Sequence, residues 1–425
     1  MIAGFFIGSF LSRHNSGNNS LDNFLNFVQF CTLNDKLYRM IARQLAGKVL
    51  DLYRQFPILM ITGPRQAGKT TLIKSLFPQL PYFSLEDPDT RARLVADTRG
   101  FLANYPEGAV LDEAQRVPDL FSYLQGWVDA RPDSHFVLSG SQHFLLMEQV
   151  SQSLAGRIGI LRLLPLSLGE LQAAKQAPAS LDELIFKGLY PRVYDRQMNP
   201  YDYFNAYLQT YLERDVRQLR QVGDLDLFVR FARLCAGRIG QLLNLSSLAT
   251  DAGISPNTAQ AWLSILQTSH LIFLLQPHHR HFNKRLVKTP KLYFCDTGLA
   301  CNLLGIEAQK QLTTHFLRGG LFENWVLLEL LKHRYNQGRP NNCYFWRDNH
   351  GHEVDCLIER AGLLTPVEIK SGATVNMGWF DTLAYWEKLA GPESDGQGAV
   401  MYGGEQRIKM TQGRVIGWRD VGKLF

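Results

Sequence analysis

Ile58-Leu-Met-Ile61-Thr-Gly63-Pro-Arg-Gln-Ala-Gly68-Lys69-Thr70-Thr71-Leu-Ile-Lys-Ser-Leu-Phe77 is the stretch from which the fold can be read. An apolar run enters a loop of the form G-x-x-x-x-G-K-[ST], and a helical pattern follows it. Glycines in such a loop let the backbone curl so that several N–H groups face phosphate oxygens. The start of the following helix adds partial positive charge. Lys69 is expected to reach the β- and γ-phosphates of a nucleotide, and the Thr70 hydroxyl to ligate Mg²⁺. Gly63, Gly68 and Thr71 complete the expected nucleotide-binding set.

Short apolar runs recur downstream at 58–61, 82–85, 109–111, 136–138 and 160–164. Helical patterns separate them near 70–77, 88–96, 118–130 and 143–150. Continuous apolar strands alternating with helices predict a parallel sheet covered on both faces. The third run ends in Asp112-Glu113. A buried strand delivers Asp112 to the sheet's C-terminal edge, where a metal and its water sit. Glu113 is then the expected general base toward an attacking water. Ser139 and Ser141, after the fourth run, are sensor candidates for a terminal phosphate, with a capping turn as the alternative. Arg157 is a candidate phosphate contact, in this chain or toward a neighbouring subunit. A plain surface arginine is its alternative.

The whole chain has 425 residues, 45% hydrophobic and 20% charged. These values exclude a disordered, collagenous or rod-like chain. No stretch reaches the roughly 18 apolar residues of a spanning helix. The formal charge of +6 permits a nucleic-acid partner without requiring one. Six cysteines without a CxxC pair read as reduced thiols of a cytoplasmic protein. The first dozen apolar residues lack a basic flank and a cleavage site, so no signal peptide is expected. A helical pattern runs over 34–55. The expected division is an N-terminal extension at 1–35, a nucleotide-binding domain at 36–175, a helical region at 176–315 and a mixed α/β domain at 316–425.

The stretches GPRQAGKTT, YFSLEDPD, VLDEAQRVPDL, LSGSQ, SLAGRIGILRLLPLSLGEL, FENWVLLEL and VEIKSG occur in this order. Together they resemble prokaryotic AAA-type P-loop ATPases fused to a C-terminal domain of unknown function. The resemblance covers most of 38–425. It implies ATP and Mg²⁺ as ligands and ATP hydrolysis as the activity, and it suggests a ring-shaped oligomer, with a monomer or dimer as the alternative. It supplies no biological role.

Residues 245–266 read as helix, turn, helix. Gly253 ends the first helix, and Ser255 with Pro256 starts the second. A strand and the basic segment Arg280, Lys284, Arg285, Lys288 and Lys291 follow, which suggests a winged helix with a wing on phosphates. The second helix carries no Lys or Arg, so a protein-binding or packing role stands beside DNA or RNA contact. Near the C-terminus, Glu323 lies on a helix, and Asp355, Glu368 and Lys370 lie on two strands. Glu368 and Lys370 share one strand face. Two acids hold Mg²⁺, and a lysine beside them positions water against a phosphodiester. The D-x12-E-x-K spacing resembles the restriction-endonuclease-like fold, which implies an active nuclease or a binding domain of the same shape. An ordinary salt-bridged strand is the third reading.

Overall fold

The computed structural model describes residues 40–140, 154–211, 224–278, 287–410 and 413–424. Ser141, the helical pattern at 143–150, Arg280, Lys284 and Arg285 lie outside the described residues. Helix α1 (Ala46–Gln55) leads into β1 (Ile58–Thr62), whose residues are all buried. After it come α2 (Lys69–Leu76), β2 (Tyr82–Ser84), α3 (Pro88–Ala96), α4 (Thr98–Ala103), β3 (Val110–Asp112), α5 (Leu120–Ala130), β4 (Phe136–Gly140) and β5 (Ile158–Arg162). The five strands form one parallel sheet in the order β2-β3-β4-β1-β5. Helices cover the sheet, and its three inner strands β1, β3 and β4 are buried throughout, whereas the edge strand β5 alternates half-buried and buried residues. Phe101, Phe121, Leu124, Phe136 and Leu138 belong to one core cluster. In this order β4 lies between β1 and β3. The ends of those three strands thus share one edge, with the phosphate loop, Ser139 and Asp112 on it.

Helices α6 (Leu168–Ala173), α7 (Leu181–Lys187), α8 (Pro191–Asp195), α9 (Pro200–Tyr211) and α10 (Leu225–Ala236) follow. Helix α11 (Leu245–Ala252) stops at Gly253, which takes the left-handed φ of +74°. Helix α12 (Pro256–Thr268) starts under the Ser255 hydroxyl, which accepts the Thr258 N–H at 3.1 Å. Trp262 of α12 meets Phe228 and Phe231 of α10 edge-on. Strands β6 (Ile272–Leu275) and β7 (Lys291–Phe294) then pair antiparallel.

The last part contains α13 (Thr297–Leu303), α14 (Arg318–Asn336), β8 (Cys343–Arg347), β9 (Glu353–Arg360), β10 (Leu363–Lys370), α15 (Trp379–Ala390), β11 (Ala399–Tyr402), β12 (Ile408–Met410) and β13 (Gly413–Gly417). They build a six-stranded sheet in the order β12-β13-β11-β10-β9-β8. Strands β8, β9 and β10 run antiparallel, and β11 lies parallel to β10. Helix α14 is buried almost all round because it touches β5 as well as β8 and β10. Glu329 of α14 accepts the Leu168 N–H at 2.9 Å, and Lys332 donates to the Leu166 carbonyl at 2.8 Å. The described residues from Arg43 onward pack as one unit. The five described cysteines are free and buried.

Candidate nucleotide site and C-terminal charge cluster

The loop after β1 takes three left-handed positions: Gly63 at φ +147°, Gln66 at +60° and Gly68 at +95°. At Gly63 a Cβ would lie 2.0 Å from the Leu163 carbonyl oxygen. That glycine therefore lets the loop pass the exit of β5, a role the phosphate argument alone does not supply. The Lys69 ammonium is buried and donates to the carbonyls of Gly63 and Pro64 at 2.9 Å each. Thr71 is exposed on the first turn of α2.

Asp112 gathers the site. Its Oδ2 accepts the Thr70 hydroxyl at 2.8 Å and the Tyr82 hydroxyl at 2.5 Å. Its Oδ1 accepts the Ser139 hydroxyl and, at 3.2 Å, the Glu113 N–H. Four sequence-chosen residues, Lys69, Thr70, Asp112 and Ser139, thus meet at one sheet edge. One carboxylate and one hydroxyl suit Mg²⁺, which keeps several waters and takes its other ligands from substrate phosphates. Glu113 has φ +57° and accepts from Gln115 Nε2 at 2.5 Å. A non-glycine residue in that region is strained, and such strain clusters at functional sites.

Three contributors were not legible in the loop motif. Tyr82 lies in a quoted stretch, yet nothing there singled out its hydroxyl. Burial and then the hydrogen bond to Asp112 push that phenol's pKa well up. Arg43 donates to the Ala67 carbonyl and the Leu164 carbonyl at 2.6 Å each, and pairs with the buried Glu170 at 3.2 Å. It ties the loop to the exit of β5 and to α6. Tyr203 of α9 donates to Gln66 in the loop at 2.9 Å. Only distance in space, not in sequence, joins these residues to the loop.

Arg157 stands elsewhere. Its carbonyl accepts the Ile58 N–H at 3.2 Å, so it sits at the start of β1 and β5, the far edge of the sheet from the loop. Its guanidinium pairs with Asp129 at 2.6 Å. The reading of Arg157 as a phosphate contact within this chain gives way to a surface ion pair. In the basic segment Lys288 is exposed, whereas Lys291 is buried. Lys291 opens β7 and pairs with Glu323 at 3.1 Å and Glu353 at 2.5 Å. It is a core cation, not a wing residue, and the expectation that it meets nucleic acid is corrected. The acids that hold it come from other elements, which a local charge count misses.

The C-terminal acids do come together, as an ion-pair network. Lys370 lies 2.6 Å from Glu368 and 3.3 Å from Asp355. Asp355 also accepts the Ile369 N–H at 2.8 Å, and Glu323 accepts the Tyr293 hydroxyl at 2.5 Å. Burial, then the charge of Asp355, pushes the Glu368 carboxyl up to about 8. Burial also raises Glu323 to about 7, against the pull of Lys291. Burial lowers the Lys291 and Lys370 ammonium groups, but the surrounding acids outweigh it and raise both. Among the described residues no group of three His, Cys, Asp or Glu has the arrangement to hold a metal ion. Lys291 and Lys370 pair with the acids.

Uncharacterized proteins of Mycobacterium bovis and Mycobacterium tuberculosis are each 32% identical to this chain over 338 residues, 78% of it and 74% of their own length. The chain belongs to their family. Residues 55–172 match the family described as AAA domain, and residues 178–310 and 318–421 match two domains of unknown function, DUF8612 and DUF4143. This family member is therefore an AAA-type P-loop protein with a DUF4143 domain at its C-terminal side. A Walker-type ATPase of Pyrococcus abyssi aligns over 65% of this chain and 99% of its own, at 14% identity and a TM-score of 0.45. A signal-transduction ATPase with numerous domains from Pyrococcus horikoshii aligns over 70% of this chain and 47% of its own, at 12% identity and a TM-score of 0.24. Among the described residues no helix is long and apolar enough to cross a membrane.

Proposed function

We propose that this family member hydrolyses ATP with Mg²⁺ at the edge shared by β1, β3 and β4. The observation that carries this is the Thr70–Asp112 hydrogen bond, which joins the phosphate loop to the strand-end acid. Loop N–H groups and Lys69 bind the phosphates, and Thr70 and Asp112 hold the metal's coordination sphere. When bound, Mg²⁺ neutralises charge on the transferring phosphoryl group. Glu113 orients and deprotonates the attacking water, and Ser139 stands beside the terminal phosphate. An arginine in trans, Arg157 of a second copy included, fits an oligomeric form. ATP turnover by the purified chain tests this, with Lys69→Ala as control. Turnover equal in both would sink it.

We further propose that the nucleotide state reaches a nucleic-acid-binding module formed by residues 224–294 and the C-terminal sheet. The support is connective. Tyr203 holds the loop from the helical region, and Glu329 and Lys332 tie α14 to the ATPase strands. The three helices and two-stranded sheet over 225–294 follow winged-helix order, with the exposed Lys288 beside the hairpin. The order α14-β8-β9-β10-α15-β11 is that of the nuclease-like resemblance. DNA binding measured against salt is the test, since phosphate contacts give a log–log slope of about −0.9 each. A second reading has its own observation. Lysines already pair the acids at Glu323, Asp355 and Glu368, which favours a module that binds without cleaving and engages a protein partner. Mg²⁺-dependent cleavage lost in Lys370→Ala would exclude that reading.

A further inference from the structure

We propose that the cavity at the C-terminal end of α14 is a binding site for a phosphorylated small molecule, separate from the phosphate loop. The cavity has a volume of about 420 Å³, within the few hundred Å³ usual for small-ligand sites. His333 and Arg334 enter it from the last turns of α14, Arg339 from the loop that follows, and Arg360 from the end of β9. Leu330 and Ile358 give it an apolar side. One acid, Glu359, lines it against three arginines.

That imbalance needs a cause. The helix dipole favours cations at the end of α14, which accounts for His333 and Arg334. It does not account for Arg339 and Arg360, which come from other elements. The charges of Arg339 and Arg360 reach both His333 and Arg334. Burial, then Arg339, lowers the Arg334 pKa; burial, then Arg360, lowers that of His333. His333 and Arg334 are half-buried and Arg339 and Arg360 are exposed; like charges held together in this way repel until an anion joins them. The forks are also positioned. Arg334 Nε donates to the Pro340 carbonyl at 3.0 Å, and Arg360 Nη2 to the Leu424 carbonyl at 2.6 Å. Each guanidinium has five N–H donors in all, and its planar geometry matches phosphate oxygens in pairs. A cavity with an apolar side and a cationic rim suits a phosphate on a compact organic body. A nucleic-acid backbone calls for a stripe instead.

The site also has a route to the ATPase. Arg339 lines a second cavity together with Thr62, Arg162 and Tyr335. Thr62 is the last residue of β1, directly before Gly63. Arg162 donates to the Tyr335 hydroxyl at 3.0 Å. A ligand drawing on Arg339 acts within a side chain's reach of the strand that carries the phosphate loop.

Equilibrium dialysis of the full chain with radiolabelled pyrophosphate, without divalent metal, tests the proposal. Four proteins are compared: wild type, Lys69→Ala, Lys69→Ala with Arg334→Gln and Arg339→Gln, and Lys69→Ala with Arg334→Lys and Arg339→Lys. Binding is expected to persist in Lys69→Ala and to weaken about tenfold or more in the Gln pair. The Lys pair keeps the charge but loses the fork, so an intermediate loss is expected there. It also decides the matter if the Gln pair fails to fold. No pyrophosphate bound to Lys69→Ala, or binding unchanged in both arginine pairs, overturns the proposal. So does Arg-dependent binding of a short single-stranded DNA without any of pyrophosphate, which would make the cluster a nucleic-acid surface. Failure of the ATPase reading is distinct: it appears as equal ATP turnover in wild type and Lys69→Ala, whatever the pyrophosphate result.

Discussion

Tyr203 donates its hydroxyl to Gln66 Oε1 at 2.9 Å, and Gln66 is the non-glycine residue of the phosphate loop held at φ +60°. A helix some 137 positions downstream thus braces the loop where its backbone is least relaxed. Tyr203 is itself fixed by Tyr190 and Tyr207, with ring centroids 5.9 and 6.2 Å away. Tyr203→Phe keeps that packing and removes one hydrogen bond. Because Gln66 is exposed, water replaces the lost donor, and the fold should lose about 1 kcal/mol or less. We expect KM for ATP to rise roughly fivefold, which is about 1 kcal/mol, with kcat little changed. Steady-state turnover separates the two constants, and an unaltered KM would remove Tyr203 from loop control.

Glu113 and Lys69 should fail differently. Lys69→Ala removes the phosphate-facing charge, so nucleotide binding and turnover both fall. Glu113→Gln keeps the binding groups and removes the base, a contribution of about 10²-fold or more. Nucleotide should remain bound to Glu113→Gln while hydrolysis slows by that factor. Filter binding and phosphate release measured on the same samples check this. Unimpaired hydrolysis in Glu113→Gln would assign water activation to another group.

Two loop glycines should differ in stability cost. Gly63→Ala puts a Cβ 2.0 Å from a backbone oxygen at φ +147°. Neither atom belongs to a flexible group, so the backbone must shift, at a cost of about 2 kcal/mol or more. At Gly68 the nearest atom is 3.3 Å away and ends the Arg43 side chain. Only the left-handed backbone is strained there, so about 1 kcal/mol is expected. Urea unfolding of both variants decides, and equal losses would contradict the packing account.

Glu368 makes stability depend on pH in a stated direction. Its carboxyl is raised from 4.5 to about 8, by burial first and by Asp355 next. Between those values the folded state keeps a proton that the unfolded chain has released. Stability is therefore fully supported below the unfolded value and declines as pH rises through the folded one. Glu323, raised to about 7, acts in the same direction. Glu368→Gln removes one such proton and should flatten the decline. Unfolding midpoints across this window test it, and an unchanged slope in Glu368→Gln would refute the linkage.

The sequence was informative where function is local and silent where it is tertiary. Strand, loop and helix around Gly63–Thr70 follow from adjacent residues, and so does Asp112 at a strand end. Parallel order then brings Ser139 between them, because its strand lies between β1 and β3. Arg157 failed as a local contact for a reason of register: its residue pairs with the start of β1, not its end. The network around Lys370 was visible as a spacing of acids. A salt bridge to Lys370 was legible with it, but the pairing of Glu323 and Glu353 with Lys291 was not, since Lys291 arrives from β7. Arg334, Arg339 and Arg360 carry no sequence signal, because a turn after one helix and the end of a distant strand share no motif.

Lys288 and Lys291 stand three residues apart and should behave as opposites. Lys291 is buried between Glu323 and Glu353. Lys291→Met leaves two acids without their cation, and breaking a buried pair from one side costs about 3–5 kcal/mol. The fold should weaken by about that amount, whatever the protein binds. Lys288 is exposed, and Lys288→Ala should leave stability within about 0.5 kcal/mol of wild type. If the segment meets nucleic-acid phosphates, Lys288→Ala instead reduces the salt slope of binding by about one contact. Denaturant curves and DNA titrations at several salt concentrations read both effects on the same proteins. A stable Lys291→Met would mean that the acids around it discharge by taking up protons, and its midpoint should then fall as pH rises. A salt slope untouched by Lys288→Ala would move the nucleic-acid contact away from this hairpin.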